Sequence, residues 1–204
     1  MAYGRWKSLD HVERYAQKRY KHWDQRMIDR REQSLVKALL TDHRISGALL
    51  DVPVGYGRFQ RLLKDFGAVY AGDWGYFPAL YAHSRLGIAD LSINCDAQQL
   101  PFVDGSMDLV FCFRLMQHMH KREERIKIYR EFARVSHAWV IVSVYLESRF
   151  HAVHRKLFTP PSRITLLPQE QFDEETREAG LIPVEQRSVI PGLHAHRIAL
   201  FRVS

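Results

Sequence analysis

The segment Ala48-Leu49-Leu50-Asp51-Val52-Pro53-Val54-Gly55-Tyr56-Gly57-Arg58-Phe59 constrains this chain more than any other stretch. An apolar run ends in a carboxylate, two glycines one residue apart form a turn, and an amphipathic stretch begins. That order describes a buried strand delivered into a tight loop that opens a helix. Gly55 and Gly57 can take positive φ and let a ligand approach the backbone closely. The Gln60–Lys64 stretch behind them is expected to present free N–H groups at a helix start. The loop reads as a nucleotide-cofactor cradle, although glycine alone also serves simply to turn a chain.

The segments that follow add specificity. A second strand, Ala68-Val69-Tyr70-Ala71-Gly72-Asp73, ends in another carboxylate. An acid about 20 residues beyond such a loop sits where it can hydrogen-bond a ribose. A third strand, Leu91-Ser92-Ile93-Asn94-Cys95, ends in Asp96-Ala97, and Gln98-Gln99-Leu100-Pro101-Phe102-Val103-Asp104-Gly105-Ser106-Met107-Asp108-Leu109-Val110 follows. This run resembles the class I S-adenosylmethionine-dependent methyltransferases, small "type 11"-like members included. In that family a D-A-x-x-L-P-F-x-D-x-S-F-D-x-V segment leads into the fourth strand. Met107 is the departure from that pattern, and the resemblance is closest over residues 45–145.

The rest of the chain agrees with an α/β fold. Strands are expected over 47–52, 68–73, 90–95, 107–113 and 138–145, with helices to about 66, over 77–85 and over 121–135. Such alternation argues for a parallel sheet covered on both faces. A helix from about Pro168 to Ala179, capped by Gly180, precedes strands over 181–189 and 194–203 joined at Pro191-Gly192. The resemblance implies a doubly wound, seven-stranded, mostly parallel sheet, the Rossmann-like methyltransferase fold, with its last strand antiparallel. Residues 1–204 read as a single methyltransferase domain. Its parts are an N-terminal helical lid over 1–44, a cofactor-binding core over 45–145, and a substrate-side segment with the C-terminal hairpin over 146–204.

Two amphipathic helices precede the loop, one with Val12, Tyr15, Ala16, Arg19 and Trp23 at helical spacing, the other with Ile28, Leu35, Val36, Leu39 and Leu40. The aromatic stripe Tyr15–Tyr20–Trp23 reads first as packing. No apolar run is long enough for a secretion signal or a membrane span, so a cytoplasmic location is expected. Cys95 and Cys112 fall in apolar runs and read as reduced thiols. The net charge of +7 comes from basic residues in the first 37 positions, over Arg122–Arg134 and over Arg149–Lys156. Those groups fit solvated helix faces, or a rim that attracts an acidic substrate, an anionic membrane surface or nucleic acid.

The resemblance assigns roles. Asp51 engages the amino group of S-adenosylmethionine, Gly55 and Gly57 lie against the methionyl and ribose parts, and Asp73 accepts from the ribose hydroxyls. Trp74 stacks on adenine, while Asp96 and the Ala97 N–H address its edge. Arg19 of the lid reaches the methionyl carboxylate, and Arg114 is grouped with the cofactor contacts. Pro53 replaces the first glycine of the family's D-x-G-x-G-x-G loop, removing an N–H and fixing φ. Val54 and Tyr56 are bulkier than the family's usual Cys and Thr.

Methyl transfer is mainly an orientation problem, and orientation alone supplies about 7–11 kcal/mol. In the loop after the fourth strand, His118 and His120 are the candidate bases. His118-x-His120 and His194-x-His196 lack further ligands at matching spacing, so no metal is expected. Tyr145, Arg149, His151, His154 and Arg155 follow the fifth strand on the substrate side and favour an acidic or hydroxylated acceptor. Cys112-Phe113-Arg114-Leu115 lacks the Asn/Asp-Pro-Pro-aromatic run of base-amine methyltransferases, which disfavours nucleic acid. A small-molecule or sugar- or lipid-linked oxygen or nitrogen nucleophile fits better. Two rival readings stay open. A nicotinamide-dependent oxidoreductase wants a third glycine where Gln60 stands. A non-catalytic regulatory protein on the same fold is motivated by Pro53 and the basic surface.

Overall fold

The computed structural model describes residues 6–19, 21–147, 164–191 and 195–204. Expectations for Tyr20, Arg149, His151, His154, Arg155, Gly192 and His194 lie outside the described residues. The elements run α1 (Leu9–Arg19), α2 (Trp23–Asp42), β1 (Gly47–Asp51), α3 (Gln60–Lys64), β2 (Gly67–Asp73), α4 (Tyr76–Tyr81) and β3 (Leu91–Asn94). They continue with β4 (Met107–Cys112), α5 (Arg122–Val135), β5 (Ser136–Tyr145), α6 (Gln169–Glu178), β6 (Leu181–Ser188) and β7 (His196–Val203).

The strands form a seven-stranded sheet in the order β3-β2-β1-β4-β5-β7-β6. All pairings are parallel except those of β7, which runs antiparallel to both β5 and β6. Alternation along each strand explains the double layer. In β4, Leu109 and Phe111 join α2's Leu35, Val36, Leu39 and Leu40 on one face. Val110 and Cys112 face the other way and meet Ile128, Tyr129, Phe132 and Val135 of α5. The neighbouring β5 repeats the pattern, with Ile141 on the first face and Val140 and Val142 on the second. Both faces being covered, the inner strands read as continuous apolar runs.

The chain builds β1, β2 and β3 outward in one direction and then returns to lay β4 on β1's other side. The carboxyl ends of β1 and β4 therefore flank a switch point, where an open α/β sheet leaves a crevice.

Two expected elements differ. The helix placed over 77–85 is α4 followed by a π-type turn over Ala82–Leu86, closed by Gly87 at φ 60°. Pro78 fits because it lies in α4's first turn, where no intrahelical N–H is needed. The helix behind the glycine loop is a single short turn, α3, and its Gln60 N–H already donates to the Gly57 carbonyl (3.2 Å). The row of free amides expected there is thus partly consumed by the loop itself.

Outside the apolar layers Arg125 and Glu175 form a fully buried ion pair. Arg125 of α5 donates from Nε and Nη2 to the two carboxylate oxygens of Glu175 in α6 (2.8 and 2.6 Å). Its Nη1 reaches the carbonyls of Met119 and His120 (3.0 and 3.1 Å). Arg125→Ala leaves Glu175 buried without its counter-charge and is expected to cost about 3–5 kcal/mol. Urea unfolding measures it, and a loss below about 1 kcal/mol, the range of an exposed pair, contradicts the assignment.

Candidate active site

A cavity of about 690 Å³ opens along the carboxyl ends of β3, β2, β1 and β4, with α1 on one side. That volume is in the range of small-molecule and cofactor pockets. Its walls include Asp51, Pro53, Gly55, Tyr56, Asp73, Trp74, Asp96 and Ala97, together with Arg19, Arg114 and His118.

Asp73 is the best-defined member. It closes β2, is 7% exposed, and accepts from Gly55 N–H at Oδ2 (2.9 Å) and from Gly75 N–H at Oδ1 (2.7 Å). Burial pushes its carboxyl up while the two N–H groups pull it back, leaving its pKa at about 6. A carboxylate offers about four acceptor sites, so two N–H bonds leave capacity for a ligand. Asp51, at β1's end, is fully desolvated and sits near the Asp73 charge, and both raise its pKa well above the usual carboxylate range. Asp96 accepts from Gln98 N–H at Oδ1 (2.9 Å), a local turn that orients the acid after β3. Three acids thus stand at three adjacent strand ends.

The loop between β1 and α3 is shaped by these contacts. Gly55 has φ 57° and Gly57 φ 72°. Gly55 has open space beside it and uses its N–H on Asp73. Gly57 is buried away from the cavity wall, and a Cβ there would overlap Leu86 Cδ1. Of the two glycines read as ligand-facing, only Gly55 faces the cavity, while Gly57 makes room for the π-type turn. Pro53 lines the cavity after a cis Val52–Pro53 bond, and Val54 N–H donates to the Gly72 carbonyl (2.8 Å).

Tyr56 meets Tyr15 of α1 edge to face at 5.7 Å, and Trp6 meets Tyr15 at 4.8 Å. This aromatic chain ties α1 to the glycine loop and brings Arg19 to the cavity. Trp74, 55% exposed, and Tyr76, 60% exposed, stand on the cavity wall after β2.

The turn after β4 separates the two histidines. His118 lines the cavity, and its Nε2 lies 3.3 Å from Gln117 Nε2. His120 is exposed, stands outside the cavity wall, and its Nδ1 pairs with Thr165 Oγ1 (2.8 Å). Of the two candidate bases only His118 therefore lines the cavity, because residues two apart on an irregular turn diverge. Among the described residues no group of three His, Cys, Asp or Glu side chains is placed to hold a metal. His196 of β7 is fully buried, stacked on Tyr145 at 4.7 Å. Cys95 stands half-buried on the cavity wall with its thiol pushed up to about 11 by burial and by Asp73 and Asp96.

Sequence reasoning missed Glu32. It is completely buried in α2 and touches Arg58, Arg114 and His196. The available signal was its position among Leu35, Val36 and Leu39 on the inward face of α2, three and seven residues away from Leu35 and Leu39 at helical spacing.

The two glycines make separable demands. Gly55→Ala is expected to cost about 1–2 kcal/mol from left-handed backbone alone. Gly57→Ala is expected to cost more, because Leu86 must also move. Urea unfolding of both variants decides this, and a neutral Gly57→Ala would show that the loop does not need positive φ there.

Residues 50–138 match the family described as Methyltransferase domain. A 72-residue stretch, 35% of this chain, is 31% identical to an uncharacterized protein of Methanocaldococcus jannaschii and spans 30% of that protein's length. Magnesium protoporphyrin IX methyltransferase from Synechocystis PCC 6803, solved with bound S-adenosylhomocysteine, superposes with a TM-score of 0.72 at 19% identity, over 90% of this chain and 88% of that one. A chain from the complex between the Haloferax volcanii Trm112 methyltransferase activator and a methyltransferase gives 0.68 at 19% identity, over 94% and 97%. A methyltransferase of Aquifex aeolicus gives 0.67 at 16%, over 97% and 99%. At such identities these likenesses speak to fold, and the matched segment speaks to family. Over residues 50–138 the chain matches the methyltransferase domain family, and its sheet order and acids at successive strand ends agree with the class I S-adenosylmethionine-dependent methyltransferase fold.

Proposed function

We propose that this protein transfers the methyl group of S-adenosylmethionine to an oxygen or nitrogen of a small-molecule or sugar- or lipid-linked acceptor, with acidic or hydroxylated acceptors favoured. The observation that carries the reading is the convergence of Asp96, Asp73 and Asp51 on one cavity from β3, β2 and β1. Adenine, ribose and amino group are successive parts of one extended molecule, and each acid meets the part it suits. Asp96 takes the exocyclic amine and the Ala97 N–H a ring nitrogen. Asp73 takes the ribose hydroxyls with the acceptor capacity its two backbone bonds leave, and Trp74 covers the base. Asp51 meets the ammonium, which supplies the counter-charge its buried site lacks.

The cofactor supplies an electrophilic methyl on a sulfonium, which leaves as a neutral thioether when the acceptor's lone pair takes the methyl carbon. The chain holds the partners in line and excludes water. Tyr15, Tyr56 and Arg19 close the cavity from α1's side. His118 is the group on the cavity wall placed to take the acceptor's proton, with the Gln117 amide beside its ring. His120 is assigned no role in this reading.

Calorimetric titration with S-adenosylmethionine and S-adenosylhomocysteine tests the cofactor. Micromolar binding supports it, and none in a folded sample overturns it. Asp73→Ala is expected to weaken binding by about 1.5–3 kcal/mol, the range for a lost hydrogen bond to a charged group.

Ionised Asp73 is the form that accepts from the ribose, and its pKa in the free protein is about 6. Affinity should therefore fall as pH drops through that value. A flat profile across that window argues against the ribose contact. In an acceptor screen His118→Ala is expected to lower turnover about 10²–10⁴-fold with cofactor affinity kept. Unchanged turnover would make His118 a wall residue.

A further inference from the structure

Glu32 of α2 is a carboxylate with no solvent exposure, surrounded by two guanidinium groups and an imidazole from three distant parts of the chain. Oε2 accepts from Arg58 Nη2, on the loop after β1. Oε1 accepts from Arg114 Nη2 (2.8 Å), on the turn after β4, and lies 2.9 Å from His196 Nδ1 on β7. Burial would raise the Glu32 carboxyl, but the His196 contact and the charges of Arg58 and Arg114 outweigh it and hold the pKa at about 2. Glu32 is therefore a fixed anion at any working pH.

Arg114 is restrained three ways. Its φ of 63° is left-handed, a conformation that non-glycine residues rarely take. Its N–H donates to Ser143 Oγ (2.7 Å), and its guanidinium is drawn to Glu32. Such backbone strain persists only where the surroundings enforce it, and it gathers at ligand sites. Arg114 also lines the cavity, one strand beyond Asp51 in the order β3-β2-β1-β4. Strands lie about 4.8 Å apart, so the four strand ends span about 14 Å, the scale of an extended nucleoside amino acid. Asp96, Asp73 and Asp51 occupy the first three stations. Arg114 is the cation at the fourth.

We propose that Glu32 is a positioning residue: through Arg114 it fixes a guanidinium at the β4 end of the cavity to receive the carboxylate of the cofactor's amino acid end. This rests on the S-adenosylmethionine reading above. Arg58 is the second strut of the arrangement, held between Glu32 and Asp29 Oδ1 (2.5 Å) with its guanidinium 4.7 Å from the Phe59 ring. Arg19 adds a cation from the covering helix α1. Replacing ion clusters of this kind by apolar packing is often neutral or stabilising, so stability alone is a weak reason for the cluster.

The test compares two probes by calorimetry on the full chain: S-adenosylhomocysteine, and 5′-methylthioadenosine, which keeps adenosine and sulfur but lacks the amino acid. Glu32→Gln is expected to weaken S-adenosylhomocysteine binding at least about tenfold. Binding of 5′-methylthioadenosine should stay within about twofold, since no contact to the adenosine stations changes. A merely structural role lowers both affinities together or neither, and either result overturns the proposal. Arg114→Gln leaves the Glu32 contacts to Arg58 and His196 in place, so it carries the same comparison if Glu32→Gln fails to fold. It should show the same selective loss. If the wild-type chain binds neither probe, the cofactor reading is overturned and this inference falls with it.

Discussion

The Asp73 carboxylate is the fastening on which the cavity depends. One oxygen takes the Gly55 N–H from the loop after β1 and the other takes the Gly75 N–H from the loop after β2. Neither loop has a regular ladder of its own at that point, and buried backbone donors need partners. A side-chain acid at the end of the intervening strand supplies both at once. The cost is a charge kept where water is scarce, seen in the rise of Asp73 to about 6. The carboxylate that shapes this stretch of the cavity wall also keeps acceptor capacity beyond its two backbone bonds.

The turn after β4 is held from two sides by ion pairs on buried carboxylates that belong to different layers. On the α5 side, Arg125 grips the Met119 and His120 carbonyls while Glu175 neutralises it. On the α2 side, Glu32 draws in Arg114. Between these ends lies Gln117–His118, the stretch that faces the cavity. Apolar packing fixes the strands, but it is non-directional and sets a turn only loosely. Charge-assisted hydrogen bonds have narrow geometry, so two of them at opposite ends define where His118 and Arg114 stand.

Much of this was legible in the sequence, because strand ends are marked by local chemistry. Apolar runs ending in Asp51, Asp73 and Asp96 announce both the strands and the acids, and the Asp96–Val110 segment carries the resemblance to the methyltransferase family. The hairpin of β6 and β7 and the cap at Gly180, φ 81°, also follow from local turn signals, while the antiparallel setting of β7 against β5 is what the resemblance implies. Side-chain partnerships across the chain were not legible. Glu32 and His196 are 164 positions apart, and although the spacing of Leu35, Val36 and Leu39 puts Glu32 on the inward face of α2, nothing in the sequence names the partners that meet it there. His118 and His120 look equivalent as text, yet an irregular turn sends one to the cavity and the other to Thr165. Gly57 looked like ligand-side clearance, and the clearance it gives is to Leu86, a contact made by a π-type turn that periodicity does not foretell.

The paired acids give the cavity a preference that geometry alone would not. Asp51 and Asp73 are both desolvated, and the charge of one raises the pKa of the other. Ionising both without a cation is unfavourable, so a positively charged occupant relieves a cost already present in the free protein. S-adenosylmethionine brings an ammonium and a sulfonium, and its demethylated product keeps only the ammonium. On the proposed reading the relief is larger before transfer than after it. A difference in binding between the two states of one ligand is the condition for favouring entry of the charged form and departure of the neutral thioether. On the proposed reading the ammonium that Asp51 meets stays with the product and only the sulfonium charge is lost on transfer, so the acids at β1 and β2 act on the net charge of the occupant without touching the methyl group.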